Sequence, residues 1–512
     1  MIDVTVIVAV HNTMPYLTDC LNSLIDQSIG LDRMEVIAVD DGSTDGGDKE
    51  LDRIAELYPL VFTIIHQENS GGPAGPSNRA LEIAQGRYVF FLGADDHLGA
   101  EALERMVGAA DEYGSDVLLG RVEGANGRHI LQDVYRHSTP DLDLYDSALP
   151  WSLSNTKLFR RALIEEHGLR FPESMRILSD QPFTIAACVH AARISVLADY
   201  TCYYAVRRDG DANLTYTAAP VERMHAARSV MEATAALLEP GTRRDFVLKR
   251  HFAWELGKLL RKDFLDYSAA TQVQLCSGIA ELADRFLTPG VREQLTVRQR
   301  LRLSLCQRGA VDTLREHLRR DSSGDLPPLL VDGDALSCCF PGFGDERLDL
   351  PADCFTVTGS PAPFLTATDC VARWERDTLT IRARTSLLGM GPALWIGLAR
   401  PRRGAKAARH LPEGPPFPLG QVVPRSSCGT LDAVLDIPTM LRHRIVSPQL
   451  VCLYVQLAGS TYEIPLPAPR AGLAPLRRWY KGRRYLLTPG TDEHGQMLVT
   501  VARCGVFGRK PA

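Results

Sequence analysis

The sequence predicts an α/β domain with a parallel sheet at the front, a helical middle and an antiparallel β-sandwich at the rear, with boundaries at 1–217, 218–325 and 326–512. Three observations predict it. Apolar strands alternate with helices through the first hundred residues, the pattern of parallel βαβ units in an open twisted sheet. From about Pro220 to Arg320 apolar residues recur at helical spacing. After "DSSGDLPP" (321–328), read as a linker, Pro and Gly rise and short alternating runs take over. At 512 residues the chain also exceeds what one core organises.

The first strand is "VTVIVAV" (4–10), β-branched almost throughout, as burial on both faces requires. In "PYLTDCLNSLIDQS" (15–28), Leu17, Cys20, Leu21, Leu24 and Ile25 share one helical face, and Pro15 suits the first turn. "MEVIAVDDGS" (34–43) is a second strand, "DKELDRIAELY" (48–58) a second helix and "VFTIIHQ" (61–67) a third strand. "PSNRALEIAQG" (76–86) reads as a helix closed by Gly86 at its C′ position. "RYVFFLGADD" (87–96) is the fourth strand. In the middle, 221–238, 243–265 and 271–287 each carry an apolar helical stripe. The second also carries Arg243, Arg244, Lys249, Arg250, Lys258, Arg261 and Lys262, read as a solvated face. Runs at 377–385, 393–399, 451–458, 484–489 and 497–505 supply the sandwich strands.

Hydrophobic residues make up 45% and charged residues 23%, the balance of an ordinary folded chain. The net charge of −5 hides an asymmetry. From Glu375 to Lys510 there are 20 Lys/Arg and 8 Asp/Glu, or +12; the rest carries 37 against 54, or −17. A basic rear suits an anionic partner, or serves solubility alone. Its loops "RPRRGAKAAR" (400–409) and "RRWYKGRRY" (477–485) contain no nucleic-acid recognition motif. An anionic polymer or a membrane-adjacent surface fits them better, and the sandwich equally suits self-association into a homo-oligomer. The 12 Cys form no CxxC pair, and Cys188, Cys276, Cys306 and Cys452 sit in apolar runs, as buried thiols in a reducing cytosol do. "MIDVTVIVAV" lacks the basic region and cleavage site of a secretory leader. No run reaches the roughly 18 apolar residues that cross a bilayer. The expected location is cytoplasmic, with peripheral contact at the inner membrane face left open.

In open α/β sheets ligands bind beyond the carboxyl ends of the strands. "HNTMP" (11–15), "DDGSTDGG" (40–47) and "GADDHL" (93–98) lie there, and "NSGGPAGPSN" (69–78) leads into a helix. No GxGxxG follows the first strand, and no Walker A loop is present. An acidic edge cannot hold a diphosphate directly. It can do so through Mg²⁺ or Mn²⁺, which prefer oxygen ligands and bridge to substrate phosphates. The adjacent Asp95 and Asp96 are the candidate ligands. Taken singly, "DDGS" is also an ordinary turn; four polar loops on one edge favour a site. His11 and His97 lack paired metal spacing and are read as loop residues.

The ordered series "VTVIVAVHN", "DDGSTD", "NSGGPAGPSNRAL", "GRYVFFLGADD" and "LSDQPF" resembles the family 2 glycosyltransferases of GT-A fold, over about residues 3 to 215. Within that family it is most similar to the bacterial transferases that decorate wall teichoic acid and related polymers, which also carry a helical linker and β-rich rear modules. The resemblance implies a UDP-sugar donor, an anionic polymer acceptor and Mn²⁺ or Mg²⁺. It places Val10, His11 and Asn12, through their backbone, and the side chain of Asp41 at the uridine, and Asn69 near the nucleotide. Asp95 becomes the second acid of the DxD motif and a metal ligand, with Asp96 beside it. Asp180 in "SDQPF" becomes the catalytic base, and Arg207, with Arg208 as second candidate, reaches the diphosphate. Three departures stand out: Gly93 replaces the first DxD acid, Ser179 replaces the Glu before the base, and Ser77 replaces an Arg. Arg79 is the nearest substitute for that Arg but lies about 200° further round the helix.

A lone carboxylate base with no protein nucleophile predicts an inverting transfer. Asp180 read by itself is also a helix N-cap. "DGDAN" (209–213) is expected to close over the donor as a loop. The QxxRW motif of the family's processive synthases is absent, so one sugar per encounter is expected. The alternatives are the same chemistry on a capsular, protein or small-molecule acceptor, and a degenerate nucleotide-sugar binding protein.

Overall fold

Strands β1 (Val4–Val10), β2 (Met34–Asp41), β3 (Phe62–Gln67) and β4 (Tyr88–Gly93) lie parallel in the order β3-β2-β1-β4. Val10 sits beside Asp40, Asp41 beside Gln67 and Ala9 beside Gly93, so all four carboxyl ends reach one edge. These coordinates are a computed structural model, which describes residues 2–208, 217–333, 335–388, 393–401, 408–411, 420–424, 429–442 and 448–504. The chain divides into two units, Met1–Arg261 with Tyr267–Leu295, and Lys262–Asp266 with Thr296–Ala512.

In the first unit, helices α1 (Tyr16–Ile25), α2 (Gly47–Leu57) and α3 (Ala74–Leu81) connect the parallel strands. Val4, Val6, Val8 and Val10 are 0% exposed, which explains the unbroken β-branched run. Helix α1 buries Leu17, Cys20, Leu21 and Leu24, the stripe its spacing predicts. Helix α3 corrects the expectation of a helix reaching Gly86. It ends at Leu81, and Gly86 serves a close approach instead. Its N–H donates to Thr5 Oγ1 at 2.9 Å, and an added Cβ would meet the Thr5 backbone nitrogen at 2.4 Å. Gly86→Ala is therefore expected to destabilise this unit by about 1–3 kcal/mol, the usual cost of overpacking, as measured by denaturant unfolding.

Beyond β4 the sheet turns mixed. It adds β5 (His97–Leu98), β6 (Val117–Ala125), β7 (Leu158–Arg160) and β8 (Ile194–Val206). β7 runs antiparallel to β4 and β6, β8 parallel to β6, and β5 antiparallel to β8. The parallel reading thus holds for four strands. The later ones lack the strand–helix rhythm that announced them. Helices Pro220–Leu237, Thr242–Arg250 and Ala269–Phe286 follow. The helix expected over 243–265 is not continuous: a π-helical stretch, His251–Leu256, interrupts it. A π turn brings residues five apart into line, and Arg250 pairs there with Glu255. Arg250, expected on a solvated face, is 6% exposed.

In the second unit, Val297–Gln307 begins with a capping box of Thr296 and Gln299. Val311–Ser323 ends at Gly324, whose φ of +78° is a left-handed stop. Then come β9 (Leu329–Asp332) and β10 (Ala335–Cys338). Next are β11 (Ala367–Glu375) and β12 (Thr378–Thr385), which open an antiparallel sheet of 11 strands among the described residues. All five expected strand runs fall in it, apart from Gly505, which lies outside the described residues. The basic run 477–485 is a hairpin with Trp479 67% exposed, whereas 402–407 of the other basic loop lie outside the described residues. Among the described residues no helix is long and apolar enough to cross a membrane.

Candidate active site

The strand ends form a connected polar mouth. His11 donates from Nδ1 to the Asp41 carbonyl at 2.9 Å, and the Asn69 amide lies 3.1 Å from the His11 ring nitrogens. Asn12, at φ +50°, accepts at Oδ1 from the Thr44 N–H at 2.8 Å. Val10, His11, Asn12, Asp41 and Asn69 are thus brought together. Asp41, however, does not present its carboxylate as expected. It is 3% exposed and accepts from Gln67 Nε2, the Ser70 N–H and Ser70 Oγ at 2.7–3.0 Å. Its work in this geometry is to fix the loop that carries Asn69.

The two acids after β4 have separate duties. Asp95 pairs with Arg208 at 2.9 Å. Asp96, expected as a second metal ligand, is instead built into the wall. It is 6% exposed and accepts from Tyr203 OH at 2.5 Å and from the Val206 N–H at 2.6 Å, with Arg128 at 3.5 Å. Burial, then the charge of Asp95, push its carboxyl up to about 6 against those donors. Among the described residues no three His, Cys, Asp or Glu converge as a metal cage. Asp95 at the strand mouth fits a cation whose shell is completed by water and substrate phosphates, as Mg²⁺ commonly is.

Gly93 is explained by the same wall. Its N–H donates to Tyr203 OH at 3.2 Å, and a Cβ there would stand 2.8 Å from Asp96 Oδ2 and 3.1 Å from Tyr203 OH. Gly93→Asp is expected to lower the melting temperature by several degrees, because overpacking costs about 1–3 kcal/mol.

Asp180 opens helix α6, which follows α4 (Ala102–Tyr113) and α5 (Arg161–Glu166) and spans Asp180–His190. It occupies the first helical position; the cap is Ser179, which makes no capping bond. Phe183, one turn on, stacks on Phe171 at 4.2 Å and meets Phe91 of β4 edge-on at 5.5 Å. The strand that presents Asp95 and the helix that presents Asp180 therefore share one aromatic anchor. The segment before α6 lies against the Asn69 loop: a Cβ on Gly72 would meet the Arg176 carbonyl at 3.1 Å. Leu178 holds φ +59°, a conformation costly for a branched-chain residue. Burial pushes the Asp180 carboxyl up to about 6, against the charges of Arg250 and Lys157 and the N–H groups of Asp180 and Gln181. A half-buried carboxylate tuned near neutrality suits proton abstraction.

Residues 5–168 match the description "Glycosyl transferase family 2", and 220–318 match "Glycosyl transferase TarS linker domain". The front of this chain is a family 2 glycosyltransferase domain. The poly(ribitol-phosphate) beta-glucosyltransferase of Bacillus spizizenii is 33% identical over 302 residues, 57% of this chain and 48% of that protein. The crystal structure of S. aureus TarS 1–349 in complex with UDP-GlcNAc is 28% identical with a TM-score of 0.60, over 70% of this chain and 99% of that one. The crystal structure of S. aureus TarS matches at 21% identity and a TM-score of 0.63, over 99% of this chain and 86% of that one, which shows the fold. The chain spans about half the length of the first curated relatives it matches.

Around Asp180 the first unit holds groups to which the sequence reading gave no part in the site. Arg250 donates to Gln181 Oε1 at 2.9 Å and pairs with Glu255. Burial pushes the Glu255 carboxyl up, but Arg250, His251 and Gln181 outweigh it and hold it down to about 2. Lys157 is 0% exposed and donates to the carbonyls of Ser152 and Ser154 at 2.7 and 2.6 Å; burial brings its amine down to about 8. Ser152 also lines a cavity of about 240 Å³ walled by Trp151 and Trp254. Lys258 lies 4.2 Å over the Trp254 ring. Burial lowers its amine, Glu255 opposes this, and Arg223, Arg250 and Arg261 add to the lowering. Asp133 is the charged residue of the cavity lining, which is otherwise mostly apolar.

One expected contact stands apart. Arg79 is exposed on the last turn of α3, opposite the buried face of Ser77, Asn78 and Ala80. Its side chain sits where the helical angle put it, not among the mouth residues. Arg207 is exposed next to Arg208, its N–H on the Ala125 carbonyl at 3.3 Å. The "DGDAN" run lies outside the described residues. His97 stacks on Tyr204 at 5.0 Å, in keeping with a structural role.

Proposed function

We propose that the chain transfers a sugar from a UDP-sugar to a hydroxyl of an anionic polyol-phosphate polymer of the cell wall, with inversion and with the help of Mn²⁺ or Mg²⁺. The observation that carries this reading is Asp180, a carboxylate tuned to about 6 on a helix pinned to the same aromatic anchor as the Asp95 strand. The names of the relatives, poly(ribitol-phosphate) transferases, support the acceptor class, and the UDP-GlcNAc complex supports a UDP-sugar.

In this mechanism Asp180 takes the proton of the acceptor hydroxyl as that oxygen attacks the anomeric carbon. The nucleotide diphosphate leaves from the opposite face, so an α-linked donor gives a β-linked product. Arg207 and Arg208 offset the charge gathering on the diphosphate. Asp95 would hold the divalent cation, which when bound supplies further charge to the leaving group. Arg208, which pairs with Asp95, would turn to the diphosphate on donor entry and leave Asp95 to hold the cation. Lys157 and Arg250 keep Asp180 from rising further, so it is ionised at neutral pH.

The test is UDP release from a panel of UDP-sugars, with ribitol phosphate polymer and Mn²⁺. Release with one sugar, dependent on polymer and abolished by chelation, is expected. Polymer-independent nucleotide binding without release would overturn the reading.

A further inference from the structure

The second unit contains a cavity of about 540 Å³ that plays no part in the chemistry above. It lies between the end of helix Val311–Ser323, with the Gly324–Pro328 segment after it, and the β11–β12 edge. Its size is that of a small-molecule site.

Its charges are unevenly answered. Asp321 is taken by Arg298 at 2.8 Å and Arg302 at 2.6 Å, and Arg320 is held by Glu316 at 2.7 Å. His317 on the floor is 1% exposed and accepts from Arg302 at 3.3 Å, so it is neutral. Arg384 is different: exposed at the rim, it has no side-chain partner among the described residues. Across the ladder it faces Thr368. The hydroxyls of Thr366 and Thr368 likewise make no protein hydrogen bond among the described residues and line the same wall. Asp325, which accepts from Ser323 at 2.7 Å, stands on the other lip. It would repel a phosphate and accept from a hydroxyl. The wall therefore offers one unanswered guanidinium, solvent-accessible hydroxyls without a protein partner and a separate carboxylate, and that asymmetry selects a ligand with a phosphate at one end and several hydroxyls at the other.

We propose that this cavity binds a polyol phosphate, with the phosphate on Arg384 and the hydroxyls on Thr366, Thr368 and Asp325. It rests on the acceptor reading above in one respect: the polymer that is glycosylated is then also the ligand here, held a second time by the unit that lacks Asp180. Two holds on one chain raise apparent affinity without new contacts at the catalytic groups.

Cys339 lines the cavity and is half-buried, which supplies a local reporter; Cys504, also half-buried, is not part of the lining and serves as reference. The experiment is alkylation of the full chain by iodoacetamide, read by peptide mass spectrometry, with millimolar ribitol phosphate trimer, with inorganic phosphate, or with neither. The trimer is expected to slow Cys339 at least threefold and leave Cys504 unchanged, with inorganic phosphate much weaker. Arg384→Glu should abolish the protection and Arg384→Lys retain part of it. Equal Cys339 rates with and without trimer, protection that survives Arg384→Glu, or equal protection by inorganic phosphate would each overturn the proposal. Sugar transfer to the same trimer by the unmodified protein reads the acceptor question separately, so one can fail without the other.

Discussion

Asp180→Asn is expected to lower kcat by about a thousandfold, within the range a general base contributes, while UDP-sugar affinity changes by less than about twofold. The amide keeps the shape of the side chain and the helix start but cannot accept the proton. The same residue sets the acid limb of the pH profile. With its carboxyl at about 6, kcat/KM of the unmodified protein should fall as pH drops through about 6, because the protonated form is no base. The residual rate of the variant should lack that limb. Burial and the charge of Asp95 also push the Asp96 carboxyl up to about 6, but Asp96 holds the wall, so its protonation should appear in thermal stability and donor binding.

A stability signature accompanies this. The folded-state pKa of Asp180 lies above its ordinary 3.8, so the charged form disfavours folding. Its contribution is most favourable below 3.8 and is lost as pH rises through about 6. Asp180→Asn should therefore melt above the unmodified protein at pH 8 and not at pH 4. A variant that loses turnover yet gains stability has lost chemistry, not fold.

Asp95→Ala should cost at least about a hundredfold in kcat/KM for the donor, the scale of removing one stabiliser of a developing charge, and should flatten the response to Mn²⁺. Asp96→Asn should behave differently. It replaces a carboxylate that accepts from Tyr203 and Val206, so it perturbs the wall, while the Mn²⁺ titration of the remaining activity keeps its midpoint. The contrast separates a carboxylate at the mouth from one in the wall, although they are neighbours in sequence.

That contrast also shows where sequence reasoning reaches its end. Strands β1 to β4 were legible because unbroken β-branched runs alternate with amphipathic helices, and the loops at their carboxyl ends follow from topology. The roles of Asp95 and Asp96 were not separable, since Tyr203 and Val206, which claim Asp96, lie more than a hundred residues away. Gly86 read as a helix stop because its contact with Thr5 spans the sheet. Arg250 read as solvated because helical periodicity assumes 3.6 residues per turn, and the π turn that buries it breaks that period. Leu178 gave no signal; a positive φ at leucine is invisible without coordinates.

The most direct test of the central claim is the anomeric configuration of the product, read by proton NMR after incubation of UDP-GlcNAc or UDP-glucose with ribitol phosphate polymer, beside Asp180→Asn. A β-linked sugar on the polymer, formed by the unmodified protein and nearly absent with the variant, is the predicted result. An α-linked product, or a β-linked product formed equally fast by both proteins, would contradict the assignment of Asp180 as the base of an inverting transfer.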